Sequence, residues 1–125
     1  MTARRKALLV EDEVLVAALA VDALEELGYQ IVEVATARAA LELARTGIDT
    51  FAVAIIDVGL PDGRGDALAL ELRQLRADLP IIIATGYGES GLDGRLRDKQ
   101  MIVLGKPYDI SQLHAAIKST ASIDR

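Results

Sequence analysis

Glu11-Asp12, Asp57, Thr85 and Lys106 are the residues whose types and spacing suit chemistry, because each closes or follows a short apolar run. Three carboxylates brought to one place repel. A pair about 5 Å apart costs about 3 kcal/mol at an effective dielectric of about 20, so such a site needs a counter-charge. An all-oxygen set of Asp12, Asp57 and a nearby carbonyl, completed by water, suits Mg2+, which prefers octahedral oxygen ligands and keeps several waters. A cation held there can bridge a carboxylate and a phosphoryl group, while Lys106 offsets the remaining charge and the Thr85 hydroxyl donates to a phosphoryl oxygen. Asp57 is then a nucleophile that forms an acyl phosphate.

These residues act together only if the fold delivers them to one rim. Ala7–Val10, Ile31–Val34, Val53–Ile56, Ile81–Ala84 and Ile102–Leu104 read as buried strands rich in Val and Ile. Helix-patterned segments separate them: Val14–Leu27 closed by Gly28, Ala37–Arg45 closed by Gly47, Gly65–Arg76 ending before Pro80, then Gly88–Lys99 and Ile110–Ala121. Strand and helix alternate throughout with short connections, which predicts an α/β fold: a doubly wound five-stranded parallel sheet with helices on both faces. In such sheets ligands bind outside the carboxyl ends of the strands, where the strand order reverses. Every strand end but the second delivers a polar or charged group there. The fourth helical segment is the weakest, since Gly86, Gly88, Gly91 and Gly94 sit in or beside it and an interior glycine costs about 1 kcal/mol relative to alanine. It is expected to be mobile or partly unwound.

Composition narrows the field further. The 125 residues, 51% of them apolar, fit one compact domain. A net charge of −5 without a basic patch argues against direct nucleic-acid binding. Cysteine is absent, which removes disulfides, thiol nucleophiles and thiolate metal sites. The basic start Arg4-Arg5-Lys6 precedes too short an apolar stretch for a secretory signal, and the longest other apolar run, Val14–Val21, is far below a membrane span. These features predict a cytoplasmic chain without a membrane segment.

Each signal also has a plainer reading. Asp12 could be a helix N-cap with Glu13 favouring the helix dipole, and Pro61-Asp62-Gly63 is strong turn chemistry. A lone threonine is usually structural, and a lone lysine before proline is usually solvated. His114, a single histidine on the last helix, is assigned no role. The functional reading rests on the constellation, with matching groups at four strand ends.

Four motifs in order, Leu8-Leu9-Val10-Glu11-Asp12-Glu13, Ile55-Ile56-Asp57-Val58-Gly59-Leu60-Pro61-Asp62-Gly63, Ala84-Thr85-Gly86 and Gly105-Lys106-Pro107-Tyr108, resemble those of the response-regulator receivers of two-component signalling. The resemblance covers essentially the whole chain. It implies a single receiver domain over 1–125 with the flavodoxin-like receiver fold and no output domain. It further implies Asp57 as phosphoacceptor and a Mg2+ ion held directly by Asp12, Asp57 and the Gly59 carbonyl, with Glu11 acting through a metal-bound water. Thr85 and Lys106 would carry the phosphoryl contacts and switching, and the bond before Pro107 would be cis. The phosphate would come from a histidine kinase or histidine phosphotransfer protein, and the signal would pass by protein contact to an unknown downstream target. The chain would work as monomer or phosphorylation-dependent dimer, as a bacterial signalling module rather than an enzyme with turnover. A phosphate-independent adaptor with the same fold is the alternative.

Departures from the family pattern bear on switching. Val103 stands where many receivers carry an aromatic that turns inward with the threonine, so that device is closed to this chain. Ile83-Ala84-Thr85-Gly86-Tyr87 is similar to the Phe-Ala-Thr-Gly motif of a subgroup that often lacks the aromatic, and the glycine-rich fourth helix is expected to shift on phosphorylation instead. Gly59 lacks a side chain where relatives use one to set phosphate loss, and Tyr87 is placed to screen the site from water. On the first helix, Leu15, Leu19, Ala23 and Leu27 form one stripe. Val14, Ala17, Ala18 and Val21 lie largely opposite, as a docking face for a partner's histidine-bearing helices or as ordinary exposed apolar surface. A haloacid-dehalogenase-type phosphohydrolase wants a second acid two residues after the nucleophile, where this chain has Gly59. A flavodoxin-like cofactor binder would find Glu11-Asp12-Glu13 repelling its phosphate.

Overall fold

A computed structural model describes residues 5–86 and 101–123, the side chains of 121–123 excepted. In chain order the elements are β1 (Lys6–Val10), α1 (Val14–Glu26), β2 (Gln30–Val34), α2 (Ala37–Gly47), a 3-10 turn (Ile48–Thr50), β3 (Phe51–Asp57), the short strands β4 (Gly59–Leu60) and β5 (Gly63–Arg64), α3 (Gly65–Leu75), β6 (Ile81–Thr85), β7 (Met101–Gly105) and α4 (Ile110–Ile123). The five long strands form one parallel sheet in the order β2-β1-β3-β6-β7, so the predicted α/β architecture is the one observed. The strand order reverses between β1 and β3, and the carboxyl ends of those two strands carry Asp12 and Asp57. The fourth predicted helix, 88–99, and Tyr87 lie outside the described residues.

The sheet is apolar on both faces because its strands are Val- and Ile-rich without polar alternation. Leu8, Val10, Ala54, Ile56, Ile81 and Ile83 pack under α2 and α3. Their neighbours Ala7, Leu9, Val53, Ile55, Ile82 and Ala84 pack under α1 and α4. Each fully buried Leu or Ile contributes about 1.5–3 kcal/mol relative to exposure, so the central strands are fixed from both sides and their ends are placed firmly.

Helix α1 corrects the expected stripe. Of that stripe Ala23 is buried and Leu19 and Leu27 pack against the core, but Leu15 is 85% exposed, while Ala17, Ala20 and Leu24 are buried. Ala17, expected on the outward docking face, therefore belongs to the core. The reason is size: alanines let the α1 backbone lie close to the sheet, while α1 also packs against α4. Val14 and Ala18 are exposed and Val21 is half-buried. The helix ends at Gly28, whose φ of 87° is a left-handed conformation that glycine adopts without strain.

Helix α2 is capped twice. The Thr36 hydroxyl accepts from the Ala39 amide at 3.1 Å. From the loop after β3, the Asp62 carboxylate accepts from the amides of Ala37 at 2.8 Å and Arg38 at 3.0 Å. These two bonds hold the Asp62 carboxyl below the usual carboxylate range. Asp62, legible in sequence as a turn residue, thus ties the acceptor loop to α2.

Candidate functional site

Asp57 is the last residue of β3 and is buried, 5% exposed. The loop behind it is pinned by backbone bonds from Val58 N–H to the Ala84 carbonyl at 3.0 Å and from Gly65 N–H to the Val58 carbonyl at 2.8 Å. Gly65 packs so closely that a Cβ there would overlap the Asp57 carbonyl oxygen and lie 2.9 Å from Ile56 Cγ2. Only a residue without a side chain fits, and α3 consequently starts directly against the acceptor residue.

The remaining groups arrive from neighbouring strands. Glu11, buried, and Asp12, exposed, follow β1, and the Glu11 amide donates to the Val34 carbonyl of β2 at 3.1 Å. Glu11, Asp12 and Asp57 each offer a carboxylate oxygen, and these atoms lie within 4.8 Å of one another. Thr85, at the end of β6, is buried, and its carbonyl accepts from the Lys106 amide at 2.9 Å. The Lys106–Pro107 peptide is cis. Lys106 Nζ donates to Asp57 Oδ1 at 2.9 Å and to Glu13 Oε1 at 3.2 Å, with Glu11 Oε1 at 3.8 Å.

The electrostatics follow from this crowding. Burial would lower the Lys106 pKa, but the hydrogen bond to Asp57 and the charges of Glu11 and Asp57 outweigh it and hold the ammonium well above its ordinary value. Burial raises the pKa of Glu11, opposed by the Glu13 amide that donates to its carboxylate at 3.1 Å. Burial, reinforced by the charge of Glu11, pushes the Tyr108 hydroxyl up to about 12. One ammonium therefore serves several carboxylates, and the uncompensated charge at Glu11, Asp12 and Asp57 fits a divalent cation. The donors are hard oxygens, which matches Mg2+ and leaves nothing for a softer metal.

The fold thus brings Glu11, Asp12, Asp57, Thr85 and Lys106 to one end of the sheet, with Gly59 alongside. His114 stands apart, its Nε2–H donating to the Ala23 carbonyl at 3.1 Å. The roles of four residues escaped the sequence reading. Glu13, read as a helix-dipole residue and as part of the acidic run after β1, is a second partner of Lys106. Gly65 could have been suspected as a glycine opening a helix just after the turn. The bidentate pair of Arg64 with Asp66, which joins the acceptor loop to α3, left a spacing of two residues as its only trace.

Comparison with known proteins agrees with this fold. The profile of the response regulator receiver domain matches residues 7–118, and the chain belongs to that family. It is 34% identical over 112 residues to the sensor kinase CckA of Brucella abortus, covering 89% of this chain and 12% of the kinase. It is 35% identical over 120 residues to the transcriptional regulatory protein PdtaR of Mycobacterium tuberculosis, covering 94% of this chain and 57% of that protein. The chain therefore spans only part of these relatives' lengths, 12% of one and 57% of the other. Among solved structures, the CheY-like receiver domain protein of Methanospirillum hungatei superposes with a TM-score of 0.83 at 26% identity, covering 98% of this chain and 97% of that one. The receiver domain of the hybrid histidine kinase CckA superposes with a TM-score of 0.78 at 29% identity, covering 92% and 97%. The chain is thus a receiver domain of the two-component type, homologous both to receivers within kinases and to those of response regulators. Its family is a signalling family and not one of classical enzymes. No helix among the described residues is long and apolar enough to cross a membrane.

Proposed function

We propose that the chain accepts a phosphoryl group on Asp57 from a histidine kinase or a histidine phosphotransfer protein, and passes the signal on by protein contact. The observation that carries the reading is the 2.9 Å bond from Lys106 Nζ to Asp57 Oδ1 beside the cluster of Glu11, Asp12 and Asp57. A carboxylate oxygen of Asp57 attacks phosphorus, the bond from phosphorus to the donor's imidazole nitrogen breaks with its electron pair staying on that nitrogen, and the donor ring, protonated on its other nitrogen, leaves as neutral imidazole. Lys106 balances charge on the phosphoryl oxygens, and the Thr85 hydroxyl donates to one of them. Asp12 and Asp57 with the Gly59 carbonyl would hold Mg2+, and Glu11 would act through a water on it. When bound, the cation would supply charge neutralisation at the acceptor.

The donor's helices would dock on the exposed row of α1, where Val14 and Leu15 stand beside the rim and Ala18 continues the row. Intact mass after treatment with acetyl phosphate tests the acceptor. The expected result is the gain of one phosphoryl group by the wild type with Mg2+, abolished by EDTA and by Asp57→Asn. A gain that survives Asp57→Asn would move the acceptor elsewhere.

A further inference from the structure

Resting on that reading, we propose that Arg64 is a second phosphoryl-contacting cation, one that occupies the place left empty by the missing side chain of Gly59. The argument begins with the small ribbon after β3, in which Gly59 of β4 and Arg64 of β5 are direct antiparallel partners. Directly opposed residues in such a pair project their side chains from the same face. At Gly59 that face looks onto the acceptor, because a Cβ there would lie 3.9 Å from Asp57 Oδ2, the oxygen that Lys106 does not hold. Arg64 accordingly lines one cavity of about 440 Å³ with Asp57, Gly59, Thr85 and Lys106.

Arg64 is also stored in a form suited to exchange. Its Nε and Nη2 donate to Asp66 Oδ1 at 3.0 Å and Oδ2 at 3.1 Å. The Arg64 side chain is 58% exposed and that of Asp66 only 5%. Asp66 Oδ1 also accepts from the Ala67 amide at 3.0 Å in the first turn of α3, so the acid keeps a partner and the favourable helix end when the guanidinium moves. A guanidinium fork that fits two carboxylate oxygens fits two phosphoryl oxygens equally well. Lys106 already serves Asp57, Glu13 and Glu11, so a dianion arriving on Asp57 meets a shortage of positive charge that Arg64 relieves. Moved there, Arg64 also covers the Gly59 side. It thereby slows the attack of water on phosphorus that breaks the acyl phosphate bond, frees phosphate and returns the Asp57 carboxylate.

Trifluoroberyllate, a noncovalent phosphoryl mimic, provides the test, titrated by 19F NMR into the full chain with Mg2+ present. Arg64→Ala is expected to weaken its binding about tenfold, as the loss of one charge-assisted contact does. Arg64→Lys should fall between, and Asp66→Asn, which weakens the competing anchor, should hold or tighten binding. Mg2+ affinity without the mimic should not change in any variant. After acetyl phosphate is removed, the phosphorylated Arg64→Ala protein should lose its added mass faster than the wild type. Wild-type affinity in Arg64→Ala would overturn the proposal, as would equal weakening by Asp66→Asn, which would make the pair a structural tie for α3. Failure of the wild type itself to bind the mimic or gain phosphoryl mass would instead sink the phosphoacceptor reading.

Discussion

The two flanks of Asp57 are built on opposite terms. On the α3 side, the Gly65 amide donates to the Val58 carbonyl at 2.8 Å, and the glycine leaves no room for even one carbon beside the Asp57 carbonyl. On the α1 side, the helix enters with Val14 81% and Leu15 85% exposed, and its N-cap residue Glu13 makes no side-chain capping bond to the helix. One flank fixes the acceptor's position and the other leaves apolar surface beside it. Substitutions on the first should therefore cost stability, and substitutions on the second should cost encounter with a partner.

The sharpest way to break that contrast is Gly65→Ala. The added carbon would meet backbone atoms of Asp57 and Ile56 Cγ2, and backbone cannot swing aside as a flexible side-chain tip can. The expected loss is about 3 kcal/mol, at the upper end of overpacking costs, read as a lower urea midpoint with an unchanged slope. Gly105→Ala, with nothing within 4 Å of the new carbon, is the control and should stay within about 0.5 kcal/mol. Equal effects of the two would mean that the α3 flank is no more tightly fixed than the rest of the rim.

Lys106→Met should have the next largest effect, and its size should depend on divalent cation. The substitution leaves Asp57 and Glu11 facing each other without the ammonium. Breaking a fully buried pair costs about 3–5 kcal/mol, and partial exposure of Lys106 reduces that to about 2 kcal/mol without Mg2+. Saturating Mg2+ should recover most of the loss in thermal unfolding, since a cation held by these carboxylates would replace the missing charge. A deficit of the same size with and without Mg2+ would separate the lysine from the acidic cluster.

These expectations also mark what the sequence could and could not reveal. Asp57, Thr85 and Lys106 were legible because each stands where an apolar β-run ends, and the alternation of runs dictates which rim they share. Gly65 was legible only as a glycine opening a helix, because its constraint is spatial: the backbone it touches belongs to the end of another element, and no periodicity encodes that contact. The core face of α1 was misread for a related reason. The 100° spacing put Leu15 inward and Ala17 outward, whereas Leu15 is 85% exposed and Ala17 is buried, because the small side chain lets α1 lie close to the sheet and α4. Asp62 shows the same limit, since its bonds to Ala37 and Arg38 span 25 and 24 residues of chain.

The smallest effect on stability is expected on the open flank, from the double substitution Val14→Ser and Leu15→Ser. Both residues are more than four-fifths exposed, so folding should change by no more than about 0.5 kcal/mol. Phosphorylation by acetyl phosphate should also be unaltered, because that small donor needs only the pocket around Asp57. Transfer from a phosphohistidine protein that serves the wild-type chain should slow about tenfold, the scale set by losing about 1.4 kcal/mol of apolar contact. Unchanged transfer would place the donor's contacts elsewhere on the rim. A parallel loss with acetyl phosphate would show that the α1 entrance also shapes the acceptor pocket, and the division between a fixed flank and an open one would fail.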